Sequence, residues 1–347
     1  MMSDIKISFC TTCMNRLFYL RQTLPKNLFD NKDYKNLEFV ILDYNSSDEL
    51  EKYIRDSYQD ELYNGRIVYY RIDSVQFYDW AHSRNLVASL ATGDVICNID
   101  ADNFTGPGFA QYVNEVFQNR TDVFMTTYYI SQGRNDVLGR ICMMKDNFMK
   151  IGGYDERMKH YGFEDIDLIC RLGRSGLHKI DIANPLFLRA IPHSNKERML
   201  NSKEGFYLID FFIRYINAYT SELLFLFQDG TTKSATMINN FVYNSLERKI
   251  NSNSLQHYHF SILEKSWVNG QWAGSEQDQL TQHPGFYKIE SETLREEALF
   301  FFHQLSNRLI MDENTKKGLI KVKNKRIHKG NLFKNFSSLP HQPNNQI

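Results

Sequence analysis

Two carboxylates one residue apart, Asp100 and Asp102, follow directly on a short apolar segment, Val95-Ile96-Cys97-Asn98-Ile99. Oxygen ligands at that spacing, carried off the end of a buried strand, can hold a hard divalent cation, and such a cation commonly carries a phosphate-bearing substrate. The triplet alone decides nothing. With 23 Asp in 347 residues, about one or two Asp-x-Asp triplets arise by chance. Two occur, the second being Asp165-Ile166-Asp167. Other residues give the first one context. Asp43 ends a second apolar run, LEFVIL, and Arg84 carries a guanidinium of the kind that suits phosphate oxygens. Glu164-Asp165 forms a second acidic centre. Its plainer alternative is an acidic first helical turn favoured by the helix dipole.

The elements that must position these residues read as alternating strands and helices. Ile5 to Cys10 is a buried strand, and Met14 to Phe29 carries Leu17, Leu20, Leu24 and Leu28 at helical spacing. Leu37 to Leu42 and Arg66 to Arg71 are further strands. Ser46-Ser47-Asp48-Glu49 opens a helix, and Asp79 to Leu90 is another. Ala91-Thr92-Gly93-Asp94 turns into the strand before the triplet. This alternation predicts βαβ units and a mostly parallel, Rossmann-like sheet flanked by helices. Ligands bind at the carboxyl ends of such strands, where Asp43, Asp100 and Asp102 all stand.

Further on, Gly106-Pro107-Gly108 opens a helix, Asp122 to Ile130 and Val137 to Met144 read as strands, and Gly152-Gly153-Tyr154 reads as a flexible loop. Glu164 to Gly173 is a helix; Leu177 to Asp181 and Leu186 to Ile191 are closing strands. The first domain then spans 1–203. Residues 204–312 form an accessory unit: a helix over Glu204 to Thr220, a β-rich part with turns at Asp229-Gly230 and Asn269-Gly270, and a helix over Glu292 to Met311. Residues 313–347 are a basic, partly disordered tail.

Composition excludes several classes. Forty-one basic and 41 acidic residues leave no net charge, so nucleic acid is not an expected partner. Five Cys in no regular framework suggest reduced thiols and a cytoplasmic setting. Cys10-x-x-Cys13 lacks the second pair a zinc site needs and is expected at the end of the first strand. The apolar stretch Phe206 to Phe227 is broken by Asp210, Arg214, Asn217 and Glu222 and does not read as a membrane span. Its aromatics leave a peripheral contact with the inner membrane face open. Oligomeric state is not legible.

Taken in order, ISFCTTCMNR, FVILDYNSSDE, AHSRNLVASLATGDVICNIDADN, IGGYDE and GFEDIDL resemble the successive motifs of the family-two glycosyltransferases of GT-A fold, of the bacterial polysaccharide-assembly type. The resemblance covers about the first 200 residues and loosens beyond. It implies transfer of a sugar from a nucleotide-diphosphate donor, with a UDP-sugar expected, to a hydroxyl of a glycan or glycolipid acceptor, with inversion. The implied cofactor is Mn²⁺ or Mg²⁺, with Asp102 as the direct ligand, Asp100 as a ligand that contacts it through water or else holds the ribose, and His193 as a further ligand. Asp43 would contact base or ribose, and Thr11, Arg16, Arg84 and Ala101 would line the nucleotide-sugar site. Asp165 would be the base, Glu164 would position it or the acceptor, and Asp167 would be an ordinary helix-face acid. Tyr44 stands where the family often has a second Asp, which leaves the base contact open. Trp80 and Tyr161 would suit either stacking on a sugar or core packing. Two other classes remain alongside: a nucleotidyltransferase, although the loop Thr11 to Arg16 has no Gly, and a non-catalytic sugar-binding relative.

Overall fold

The computed structural model describes residues 4–127, 137–217, 220–241, 258–261, 267–272, 285–324 and 332–334. The distal ends of the expected strand Asp122 to Ile130 and of the short alternating stretches Ile238 to Tyr243 and Tyr258 to Leu263 expected in the β-rich part, and the basic stretch 325–330, lie outside them. The chain divides into two units, one of Met1–Glu156, Asp165–Pro192 and Gly318–Ile347, the other of Arg157–Glu164 and His193–Lys317.

In the first unit, β1 (Ile7–Cys13), β2 (Leu37–Tyr44), β3 (Ile67–Ile72) and β4 (Val95–Asn98) pair in parallel in the order β3-β2-β1-β4. The sheet continues with β7 (Ile141–Met144), β6 (Val123–Thr127) and β8 (His178–Ile182), where β7 runs antiparallel to both neighbours. All eight residues of β2 are buried because helices cover both faces. On one face Ile7, Phe9, Phe39 and Ile41 pack with Leu20 and Leu24 of the helix Leu17–Asp30 and with Phe109 and Val113 of the helix Phe109–Asn119. On the other, Cys10, Val40, Leu42 and Ile96 pack with Leu86 and Val87 of the helix Trp80–Leu90 and with Leu168 and Leu172 of the helix Glu164–Arg174. Residues of one strand alternate between the two cores, the period-two signature of a sheet buried on both sides.

Several local expectations change. Leu186 to Ile191 is not a core strand. Pro185, which has no N–H to give a ladder, starts a 3₁₀ turn over Pro185–Phe187, capped by Asn184 accepting from Leu186 N at 3.0 Å. Only Arg189–Ala190 (β9) is extended, and it pairs with β5 (Asn103–Phe104), directly after the acidic triplet. Gly152 and Gly153 are turned sharply (φ 82° and 68°) and tied into the core rather than loose. The basic stretch is not a free tail at its start. The helix Glu292–Lys316 runs past Met311, and Val322 then docks its N–H on Ile151 O at 3.0 Å. Leu332–Lys334 adds an antiparallel edge strand to β3.

The second unit is built on an antiparallel sheet of β10 (Leu208–Asn217), β11 (Thr220–Phe227), β12 (Thr231–Phe241), β13 (Tyr258–Ser261), β14 (Val268–Gln271) and β15 (Tyr287–Lys288). The expected helix over Glu204 to Thr220 is therefore a short helix, Lys203–Tyr207, followed by β10. Both faces of β10 are apolar, Phe211 and Ile213 packing with Phe301 and Phe302 of the long helix and Phe212 with Leu224 and Phe286. A strand covered on both sides loses its polar alternation, which is why its pattern reads as helical. Asp229-Gly230 does form a hairpin turn between β11 and β12, whereas Asn269-Gly270 lies inside β14, paired with Thr232 and Lys233. No helix among the described residues is long and apolar enough to cross a membrane.

Candidate active site

Asp100 and Asp102 sit on the turn that leaves β4. That turn is held from three sides. Asn103 N returns to Asp100 O at 2.9 Å, Thr23 Oγ1 donates to Ala101 O at 2.6 Å, and Ile191 N donates to Asp102 O at 2.9 Å. Thr11 also supports this end of β4, its hydroxyl donating to Ile99 O at 2.8 Å.

Arg84 ties the turn to the second acidic centre. The helix Trp80–Leu90, capped by Asp79 accepting from His82 N at 3.0 Å, presents Arg84 so that Nη1 donates to Asp165 Oδ1 at 2.8 Å and Nη2 to Asp100 Oδ1 at 3.3 Å. The side chain of Arg84 is 8% exposed, that of Asp165 18% and that of Asp100 32%, so the two carboxylates are the members open to an incoming molecule. Tyr154 completes the group. Its hydroxyl donates to Asp165 Oδ1 at 3.0 Å and accepts from Asn98 Nδ2 at 2.5 Å, and the Arg84 guanidinium lies 5.5 Å over its ring. Burial pushes the Asp165 carboxyl above the ordinary carboxylate range; Arg84 opposes the shift and Asp100 adds to it, and the net direction is upward.

Below the turn lies Arg140, fully buried, with Nη2 donating to Asn103 Oδ1 at 3.2 Å and to Phe104 O at 2.9 Å. Burial pushes its pKa down to about 10, with Asp100 and Asp102 among the charges that hold it up. A fixed cation there moderates the mutual repulsion of the two carboxylates. Gly139 closes over the group. A Cβ at this position would stand 2.9 Å from Asp100 Oδ2 and 3.0 Å from Arg84 Nη2. Gly139→Ala should therefore displace these side chains and lower kcat/KM roughly 10- to 100-fold through misplacement alone. The melting temperature, read alongside, should stay close to wild type.

Other expected residues are placed differently. Asp43 is completely buried and internally satisfied: Oδ1 accepts from Ser46 N at 2.6 Å, and Oδ2 from Tyr69 Oη at 2.6 Å and Arg71 Nη1 at 2.5 Å. Arg16 is the residue before the helix Leu17–Asp30, its guanidinium 5.3 Å over the Tyr19 ring. Tyr44 reaches His82 Nδ1 at 2.8 Å. Trp80 is buried edge-on to Tyr78. Cys10 and Cys13 are buried free thiols within β1. Asp167 is no exposed helix-face acid: it is fully buried and pairs with Arg171 Nε at 2.6 Å on the same helix. Glu164, 2% exposed, and His193, with Nδ1 3.4 Å from Ser194 O, belong to the second unit. Tyr161, also there, accepts from Arg198. Gly139, Arg140 and Tyr154 escape sequence reasoning. Only Tyr154, following two glycines inside a motif-like segment, carries any signal.

Residues 8–179 match the family model described as glycosyl transferase family 2. Residues 8–179 thus form a family-two glycosyltransferase domain. Among solved structures, the mannosyltransferase PcManGT from Pyrobaculum calidifontis, in complex with GDP-Man and Mn²⁺, is 16% identical over 57% of this chain and 62% of its own, with a TM-score of 0.46. TarS 1–349 of S. aureus in complex with UDP is 11% identical over 56% of this chain and 63% of its own, with a TM-score of 0.42. The chain thus covers less than two thirds of either protein. No curated protein matches it. The family assignment rests on the sequence match, which contains Asp43, Arg84, the Asp100–Asp102 turn and Asp165.

Proposed function

We propose that this family-two glycosyltransferase moves a hexosyl group from a nucleotide-diphosphate sugar, with UDP-sugar the expected donor, to a hydroxyl of a glycan or glycolipid acceptor, with inversion. The observation that carries the reading is Arg84 bridging Asp100 and Asp165. One guanidinium joins the carboxylate turn that suits a diphosphate to a carboxyl that suits proton transfer.

The donor set of the turn, Asp100 and Asp102, consists of hard oxygens, and the nearby Cys97 and Cys142 are fully buried; it fits Mn²⁺ or Mg²⁺. Asp100 and Asp102 would hold such a cation, which when bound would supply positive charge to the diphosphate leaving group. The protein's own groups do the rest. Arg84, engaged by Asp165 and Asp100, holds the two carboxylates in place and lends its positive charge from behind them. Asp165 takes the proton from the acceptor hydroxyl as that oxygen attacks the anomeric carbon and the bond to the diphosphate breaks. Its upward-shifted pKa makes it a better proton acceptor than an ordinary aspartate, while Tyr154 and Arg84 aim it. Asp43, Tyr69 and Arg71 form a hydrogen-bonded cluster at the end of β2 and β3, which would serve as a fixed support for the base end of the site.

The test is incubation with a panel of labelled nucleotide-sugars and Mn²⁺, followed by NMR assignment of the product's anomeric configuration. An inverted glycoside is expected. A retained one would remove Asp165 as an in-line base, and no consumption of any donor would remove the reading.

A further inference from the structure

The segment just before Asp165, Arg157–Glu164, belongs to the second unit, and the long helix Glu292–Lys316 holds it there through buried polar side chains. His303, Asn307 and Asn314 are all completely buried and recur at helical spacing on one face of that helix. Asn307 makes three hydrogen bonds to one turn. Its Oδ1 accepts from His160 N at 3.3 Å, and its Nδ2 donates to His160 O at 2.6 Å and to Gly162 O at 2.7 Å. His303 Nδ1 accepts from Tyr161 N at 3.1 Å, and Asn314 Oδ1 from Arg157 Nη2 at 2.6 Å. The turn needs holding, because Gly162 and Phe163 both have positive φ (91° and 69°), a costly conformation for a phenylalanine. Arg308 covers the Phe163 ring at 5.4 Å. Glu164, next in the chain, starts the helix that carries Asp165.

His160, Glu204 and His303 also lie within metal-ligand spacing of one another, 4.8 Å. The hydrogen bond from Tyr161 N occupies the lone pair of His303 Nδ1, so the neutral ring carries its proton on Nε2 and offers no ligand atom. The carboxylate of Glu204 instead lies 3.4 Å from His160 Nδ1 and braces the same turn.

We infer that the second unit sets the base of the transfer reaction. Asn307, assisted by His303, holds the 160–163 turn in its left-handed form and so fixes where the helix bearing Asp165 begins. Asn307 is a positioning residue; the inference rests on Asp165 being the base. It also gives the second unit a catalytic purpose, since the loop it clamps is continuous with the catalytic helix.

Asn307→Asp keeps size and the acceptor oxygen but turns the two donors to His160 O and Gly162 O into a repelling oxygen. In the full-length chain, kcat for sugar transfer should fall at least 30-fold, while donor KM and nucleotide affinity measured by calorimetry with Mn²⁺ stay within about twofold of wild type. Gly162→Ala perturbs the same turn through its backbone alone and should show the same split, so it decides the question if the Asn307 variant does not fold. Unchanged kcat in either folded variant overturns the inference, as does a parallel loss of nucleotide affinity, which would mark Asn307 as general scaffolding. A wild-type protein that transfers no sugar would instead overturn the parent reading.

Discussion

Asp165→Asn should lower the rate of sugar transfer by orders of magnitude while leaving the protein as stable as wild type or more so. The amide keeps an oxygen for Arg84 Nη1 and Tyr154 Oη, both bonded to Oδ1, so geometry is retained and only basicity is lost. Loss of a positioned base costs about 10²- to 10⁴-fold in kcat. Donor affinity should remain within about twofold, because the Asp100–Asp102 turn and the Arg84 charge behind it are unchanged. The stability side follows from the sign of the pKa shift. Asp165 titrates higher in the folded chain than in the unfolded one. The folded state therefore holds the extra proton between the two values, and the stability this group contributes falls as pH rises through that window. At neutral pH the ionised carboxyl is a net cost, which the neutral amide removes. Thermal melts of both proteins at pH 7 and at pH 4 test this: the difference in favour of the variant should shrink at the lower pH. For the same reason the acidic limb of the wild-type pH profile of kcat/KM should lie above the roughly 3.9 of a free aspartate. A limb at or below that value would contradict the environment described for Asp165.

Asp102→Asn should have the other large effect, and on a different parameter. Asp102 is 8% exposed on a turn whose backbone is fixed by Thr23, Asn103 and Ile191, so the substitution changes charge without moving the chain. Removing one of two anionic ligands weakens a hard-cation site, and the leaving diphosphate loses the charge that stabilises it. A fall of roughly 10³-fold in kcat/KM, about 4 kcal/mol of transition-state stabilisation, is expected. Nucleotide binding should lose its dependence on added Mn²⁺. Steady-state kinetics with Mn²⁺ varied from micromolar to millimolar give the check. If excess Mn²⁺ restores wild-type kcat, Asp102 contributes affinity for the cation and nothing more. If the variant is fully active without added cation, the turn is not a metal site.

Much of this site is legible in the sequence because its parts are tied to secondary structure with strong local signals. Asp43 and the Asp100–Asp102 pair follow short, mostly apolar strands, and a buried parallel strand announces both itself and its exposed end. Arg84 sits in a helix with a clear Asp79 cap. What is not legible depends on contacts between distant segments. Gly139 and Arg140 meet the triplet only after β7 folds beside β4, and no spacing announces that. Asp167 looks like a partner of Asp165 until Arg171, four residues on, takes it into the core. Asp43 looks like a ligand-facing carboxylate until Tyr69 and Arg71 occupy it from the neighbouring strand. The second unit is the least legible part. β10 is apolar on both faces and mimics a helix, and the turn residues at Asn269-Gly270 lie inside a strand. The return of Val322 to Ile151 is a contact across 171 residues, which no local pattern encodes.

The most direct measurement is differential melting of the purified chain against UDP, GDP, CDP and dTDP, each with Mn²⁺ and each with a chelator. A ligand that binds only the folded state raises the melting temperature, by an amount set by its concentration over Kd. One nucleoside diphosphate should raise it with Mn²⁺ and not with chelator, and the rise should vanish in Asp102→Asn. A rise that is unchanged by chelator, or no rise with any of the four, would contradict a metal-dependent nucleotide-sugar site at the Asp100–Asp102 turn.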